Sequence, residues 1–408
     1  MQNTVPHRLG FLGNVINTFA RSKITPLIIA ASLVLGLFAV VNLPREEEPQ
    51  ISVPMFDIFV SYPGASAQEV ERRIINVGER TLWEISGVEY IYSTAESDGA
   101  MFIVRFKVGE NVEKSLIKLY TKVHSNLNLL PAGATQPFIK VRSIDDVPIL
   151  ALTFHSKTRD AVSLRKVVAD LQTLISSIPD VSESTITGGR KRQFQVFLDE
   201  QKLKERFLNP AEISDLIQKA NVKVSAGHLE SKPDLLNVEA DAFFRSKSDL
   251  ENLVVGVSQG GIVALKDIGR VVDGPDEEES AVNVRYGNVS IEKDKGPFNA
   301  VTLSVSKRKG ANATRLCQKI LSKVESLRGS AIPQDVELTV TRDYGETANE
   351  KSNELLYHMA LAIFGVSVLI ALSLGLRESG VVGIAIPMTL SLTLAAFYFM
   401  GFTLNRIT

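Results

Sequence analysis

Three stretches of this chain are apolar almost without interruption: residues 24–43, 355–376 and 381–404. The first and third hold no charged residue, and the second holds only His358, near its start. Each is close to the ~20 residues a helix needs to cross the hydrocarbon core of a bilayer. The pattern predicts an integral membrane protein with one large block, residues 44–354, outside the bilayer. Arg377, Glu378, Ser379 and Gly380 separate the last two stretches and read as a tight turn. The chain stops at Thr408, soon after the third stretch, which reads as a larger protein cut short.

Inside the large block the pattern changes to alternation punctuated by helical periods. A strand is expected at 51–62, ended by Pro63 and Gly64. A helix follows at 66–85, which Ser66 and Glu69 can open as a capping box, and Gly87 leads into a strand at 88–95. The same plan recurs at 147–154, 163–178 and 181–187, and again at 300–306, 312–327 and 336–341. The helix-to-strand junctions are alike, running from Ile85 to Val88, Ile178 to Val181 and Ile332 to Val336. A strand at 101–107 before a helix at 112–130, and a strand at 194–198 before helices at 201–207 and 210–220, extend the series. Repeated β-α-β units with helices on one face predict ferredoxin-like sandwiches, so the fold class is an α+β membrane protein with three transmembrane helices. Residues 221–297 break the plan. Strand-like runs at 252–257 and 261–265 flank a hairpin signal at Ser258, Gln259 and Gly260, and 276–279 reads as a solvated acidic turn. This part reads as an insertion with its own β-rich fold.

Charge orients this plan. Arg8, Arg21 and Lys23 precede the first apolar stretch, while Arg45 and then Glu46, Glu47 and Glu48 follow it. The positive-inside rule puts the N-terminus in the cytoplasm and the large block outside. No small-residue cleavage site follows residue 43, so the first stretch is expected to stay as an anchor. Leu9, Leu12, Ile16 and Phe19 fall at helical spacing and predict an interfacial helix over 9–22. With 45 Lys and Arg against 46 Asp and Glu, the chain has no field that would draw nucleic acid.

Little in the chain points to bond-making chemistry. Arg308 to Ala311 lacks the spacing of a phosphate-binding loop. His7, His124, His155, His228 and His358 are scattered, with no metal-ligand spacing, and no cofactor or catalytic site is implied. Cys317, the single cysteine, lies beside Leu316 and Ile320 and is expected in a core. His358 beside Tyr357 reads as an interfacial anchor, Asp145 and Asp146 as a solvated linker, and Arg45 to Glu48 as a water-side stop for the first helix.

The layout resembles the N-terminal part of the resistance-nodulation-division efflux transporters, hydrophobe/amphiphile type, across essentially the whole chain. The residues that carry the resemblance are Leu43 and Pro44 followed by Pro49, Gln50 and Ile51; the run from Val60 through Tyr62, Pro63 and Gly64 to Val70; Ser86 to Val88; and Asn221 to Gly227. Val263 to Gly269, Thr341 to Tyr344, and Ile386 to Leu390 add to them. Each is weak alone, and their order between three membrane helices is specific.

The resemblance implies a homotrimer in the inner membrane, with the large block in the periplasm. A periplasmic adaptor, an outer-membrane channel, membrane lipids and small hydrophobic or amphiphilic substrates would be its partners. It implies segments at 1–23 (interfacial), 44–146 (first porter subdomain), 147–200 and 298–345 (two parts of the second porter subdomain) and 201–297 (docking insertion). Residues 222–236 would form an arm into the neighbouring subunit, with Val224, Ser225, Ala226, Gly227, His228 and Leu229 at its centre. Proton coupling in the family uses acidic residues of the fourth membrane helix and a lysine of the second half, which this chain does not reach. Pocket phenylalanines of multidrug members align with Pro148 and Thr187, which implies a less aromatic pocket. The competing readings are a membrane-anchored scaffold that transports nothing, and a lipid- or protein-handling relative of the same architecture.

Overall fold

The computed structural model describes residues 19, 22–46, 53–231, 234–258, 260–277, 280–291 and 296–405, with the backbone alone over 224–241. The interfacial helix expected at 9–22 falls almost wholly outside the described residues. The first apolar stretch is helix α1 (Thr25–Asn42), ended at Leu43, whose N–H still bonds to the Ala39 carbonyl at 2.7 Å.

The first outer unit begins with β1 (Met55–Ser61). Helix α2 follows as one run through Ala67–Val70, Glu71–Ile75 and Asn76–Trp83, its middle segment a π turn. Ser66 and Glu69 close the expected capping box. Next come β2 (Val88–Glu96), β3 (Gly99–Phe106), α3 (Val112–Ser125) and β4 (Phe138–Arg142). The sheet order is β2-β3-β1-β4, antiparallel at each pairing. Phe56, Ile58 and Val60 alternate into the core, where Val70, Ile74 and Leu82 of α2 and Leu119 of α3 cover them. The period of two puts Asp57, Phe59 and Ser61 on the opposite face, where Phe59 and Ser61 are exposed and Asp57 is buried.

The second outer unit opens with β5 (Leu150–His155), α4 (Ala161–Ser176) and β6 (Val181–Gly188). The chain then leaves the sheet. β7 (Arg192–Leu198), α5 (Glu200–Arg206) and α6 (Pro210–Ala220) lead to a ribbon of β8 (Lys223–Ser231) and β9 (Asp234–Asp241). α7 (Lys247–Glu251), β10 (Val254–Ser258), β11 (Gly261–Ala264), α8 (Leu265–Ile268) and β12 (Gly269–Pro275) complete the excursion. The sheet resumes with β13 (Asn283–Val284), β14 (Phe298–Lys307), α9 (Ala313–Ser326) and β15 (Glu337–Asp343). Its main order is β6-β14-β5-β15, with β13 on the start of β14. Counted within each unit, the two sheets share the order 2-3-1-4. What reads as a second and a third β-α-β repeat is thus one sheet.

Two expectations change in the excursion. The strand expected at 194–198 was assigned to the second sheet, but β7 pairs with β12. Phe194, Val196 and Leu198 pack on a separate core of Leu203, Ile213, Leu250, Leu265 and Ile268, so a hydrophobic core decided the partner. Among its described residues, 221–297 holds six strands and two short helices, α7 and α8, while α5 and α6, expected as helices, pack into the same core. Asp276, expected in a solvated turn, ties the excursion shut: its carboxylate accepts from the Lys191 N–H at 2.8 Å. Glu279 lies outside the described residues.

The repeated junctions have a common geometry. The N–H groups of Val88 and Val181 bond back three residues to Ile85 and Ile178, both at 3.3 Å, and that of Val336 to Pro333 at 3.1 Å.

After β15 come α10 (Tyr344–Ser373) and α11 (Leu376–Met400). With α1 these are the three helices long and apolar enough to cross a membrane among the described residues. α10 starts well before its apolar stretch, since Asp343 caps it and its first turns pack on the second unit. There Gly345 lies so close to α9 that a Cβ would come within 2.8 Å of Cys317 Cβ. The tight turn falls at Leu374 and Gly375, not at residues 377–380. Gly375 adopts φ +112°, a conformation that favours glycine, and this lets Arg377 to Gly380 wind as the first turn of α11. Gly36 of α1 meets Ser391 of α11 with no space for a side chain, so the two helices approach by backbone contact.

Candidate functional site at the junction of helices and outer units

The site forms where the three helices end against the second unit. After α1 the chain runs through Pro44 and Arg45 alongside Leu404, beyond α11. The Leu404 N–H donates to Pro44 (2.8 Å) and the Glu46 N–H to Leu404 (3.1 Å). This backbone pairing puts the Glu46 carboxylate beneath the last residue of β14. Lys307 Nζ lies 2.7 Å from Glu46 Oε1 and 3.0 Å from Asp145 Oδ1. The other Glu46 oxygen accepts from Thr403 Oγ1 at 3.2 Å. The side chains of Glu46, Lys307 and Asp145 are 3%, 8% and 12% exposed, so the three charges are held by one another rather than by water.

Outside this node the same segments are bound again. Arg45 donates to Asn349 and Asn353 of α10 at 2.5 and 2.9 Å. The Ala313 N–H, opening α9, bonds to the Arg45 carbonyl at 3.2 Å, and Arg315 donates to Val41 at 2.9 Å. Tyr344 N–H bonds to Ile149 at 2.8 Å, and Ser306 Oγ to Asp146 at 2.9 Å.

These contacts correct two expectations. Asp145 is not part of a solvated linker, and Glu46 does not face water, because both meet the lysine at the end of β14; Glu47 and Glu48 lie outside the described residues. The linker itself is a short turn (Ile144–Asp146) that Ser143 and Asp146 cap reciprocally. Residues 46, 145 and 307 lie at three unrelated segment ends, so no local spacing joins them. The one available signal was a lysine continuing an alternating strand.

The expected pocket residues lie apart. Pro148 is half-buried in the lead-in to β5, and Thr187 is exposed on β6, with β14 between their strands. Thr187 belongs to a row that crosses the uncovered face: Thr187 opposite Thr302, Thr302 opposite Thr153, Thr153 opposite Thr339. Thr153 Oγ1 lies 2.9 Å from Thr302 Oγ1 and 3.1 Å from Thr341 Oγ1. The corresponding row of the first unit runs Thr94, Met101, Phe59, Phe138, with the two rings 6.4 Å apart. Beneath that first sheet, next to the π turn of α2, lies a cavity of about 70 Å³ lined by Ile58, Val77, Phe102 and Leu130.

The expected arm is the β8–β9 ribbon. His228 pairs with Asn237 and Leu229 with Leu236, and the register shifts between Ser225 and Gly227, leaving Ala226 as the extra residue beside Val224. The ribbon's strands pair only with each other among the described residues. A lone two-stranded ribbon is marginal in water.

Titratable groups elsewhere are structural. Burial, then the nearby Asp343, pushes the Cys317 thiol up to about 12, as suits the expected core residue. Arg159, hydrogen-bonded to Asp335, holds that carboxyl below its ordinary range. His155 is buried at the far end of β5, 3.0 Å from the Tyr286 hydroxyl and 3.3 Å from Glu337. Among the described residues no group of His, Cys, Asp or Glu is arranged to hold a metal ion.

Comparison with known proteins fits this assembly of membrane helices and outer units. The chain belongs to the AcrB/AcrD/AcrF family, whose model matches residues 15–408. It is 25% identical over 391 residues to the multidrug resistance protein MdtC of Proteus mirabilis, covering 95% of this chain and 37% of that protein. MdtC of Yersinia enterocolitica and of Yersinia pseudotuberculosis match with the same identity and coverage. The chain thus spans about a third of the length of the curated relatives it matches.

Proposed function

We propose that the chain is the N-terminal part of an inner-membrane, proton-driven exporter subunit for hydrophobic and amphiphilic compounds. The observation that carries this reading is the family match across residues 15–408, on a chain whose two units of like strand order stand on three membrane-length helices. In this reading the two units are ferredoxin-like porter subdomains in the periplasm. The excursion from β7 to β12 is the docking part facing a periplasmic adaptor and an outer-membrane channel. Register supports that direction: Lys307 pairs with Val181 at the membrane end of the second sheet, and Val301 pairs with Gly188 at the opposite end, where the excursion leaves. The β8–β9 ribbon is the arm that a neighbouring subunit of a homotrimer would receive.

Residues 25–42, 359–373 and 379–400 carry no acidic or basic residue, so this reading assigns proton movement to other parts of the protein. The threonine row containing Thr187 would give the second subdomain a substrate face less suited to aromatic compounds.

The complete protein, expressed in a host deleted for its own pumps, should raise resistance to amphiphilic compounds and lower their accumulation. Unchanged accumulation with the protein present in the membrane would overturn the reading. Removing residues 225–233 should weaken the trimer, as measured by mass in detergent.

A further inference from the structure

We infer that Lys307 is a positioning residue: with Glu46 and Asp145 it clamps the second outer unit to the outer ends of the membrane helices as one rigid body, while the first unit is left free to swing. The node brings four segments to one point. Glu46 leaves α1, Thr403 follows α11, Asp145 lies in the turn between the units, and Lys307 ends β14. The Arg45 contacts to α10 add the third helix.

Charge gives the clamp its registry. A buried ammonium group is stable only where both carboxylates reach it, so a shift of the second sheet by one residue would leave three ions unpaired. Apolar packing alone would tolerate such a slip more readily. The first unit shows no such device among the described residues. Among the described residues, no hydrogen bond or ion pair runs from residues 53–142 to a membrane helix or to the second unit. Its ion pairs, such as Asp57 with Arg142 at 2.9 Å, stay within the unit. Its exit strand β4 joins the node only through the capped turn Ile144–Asp146. On the exit side the hinge falls between Arg142, which ends β4, and Ser143, which caps that turn.

The test needs no transport, so it stands apart from the proposed function. Spin labels are placed on this chain in lipid nanodiscs through cysteines at the exposed positions Leu361 of α10, Lys323 of α9 and Glu113 of α3. Distances are read by pulsed electron resonance. The 361–323 distribution should be at least twofold narrower than the 361–113 distribution. Lys307→Met should broaden the 361–323 distribution, and Lys307→Arg should keep it narrow. A triple change, Glu46→Met, Asp145→Leu and Lys307→Met, leaves no buried charge unpaired and keeps the test valid where the single variant fails to fold. It too should broaden that distribution, with unchanged far-ultraviolet circular dichroism. Equal widths to both units, or a 361–323 width that the triple change does not move, overturns the inference.

Discussion

The two outer units share a strand order and differ in almost everything attached to it. In the first, β2 turns into β3 through Ser97 and Asp98. In the second, the equivalent β6 and β14 are separated by a body with its own core. The first unit shows Phe59, Met101 and Phe138 on its uncovered face, and the second a row of hydroxyls. Among the described residues, the second is hydrogen-bonded to α1 and α10 and reaches Thr403, beyond α11, through Glu46, whereas no hydrogen bond or ion pair ties the first to a helix of the membrane. Strand order is thus set by the core-facing residues alone. The open face, the outer hairpin and the membrane-side strand ends can each take on a different task without disturbing it.

The strongest challenge to that view is to weaken each core separately. Phe154→Ala in the second unit and Phe106→Ala in the first each remove a fully buried ring and should cost about 3–5 kcal/mol. Hydrogen exchange resolved by segment should show the first change loosening the start of α10 as well, and the second change confined to its own unit. Equal spread from both would break the contrast in coupling.

A smaller effect tests the faces. Thr153→Val removes the hydroxyl that meets Thr302 and Thr341 and should cost about 1 kcal/mol in urea unfolding. Cys317 tests the seam between the second unit and α10 through pH. The folded thiol holds its proton to about 12, against 9.0 for an ordinary cysteine. The folded state therefore binds the extra proton between these values, and stability falls as pH rises through that window. Cys317→Ala lacks this loss, so the gap in melting temperature between the two proteins should close from pH 9 toward pH 12. The smallest expected effect comes from replacing residues 192–275 with a two-residue turn between Lys191 and Asp276, which already pair. Protection of β5, β6, β14 and β15 should persist, and its loss would mean that the insertion helps to hold the second sheet.

Legibility in the sequence followed the range of each interaction. The capping box of Ser66 and Glu69 spans three residues, and the Ile-to-Val junctions rest on single backbone bonds, so both could be read directly. The apolar helices showed by length, although the pattern placed the start of α10 late because its first turns are polar and face the second unit. β7 was given to the wrong sheet because its alternation fits either one, and only the core of Leu203 and Ile213 decides between them. The buried node stayed hidden because its charges come from residues far apart in the chain, each bland in its own surroundings. The same holds for the threonine row, which appears only when four strands are laid in register.

The length of β14 gives the clamp mechanical advantage. From Lys307 to Val301, where the excursion leaves, this strand rises over about six residues, a reach of about 20 Å at ordinary strand rise. It acts as a lever with its fulcrum at the helix ends, so a tilt of about 5° there carries the root sideways by about 2 Å over that reach. A displacement too small to break a single contact in the bilayer becomes, at the far end, the width of an atom.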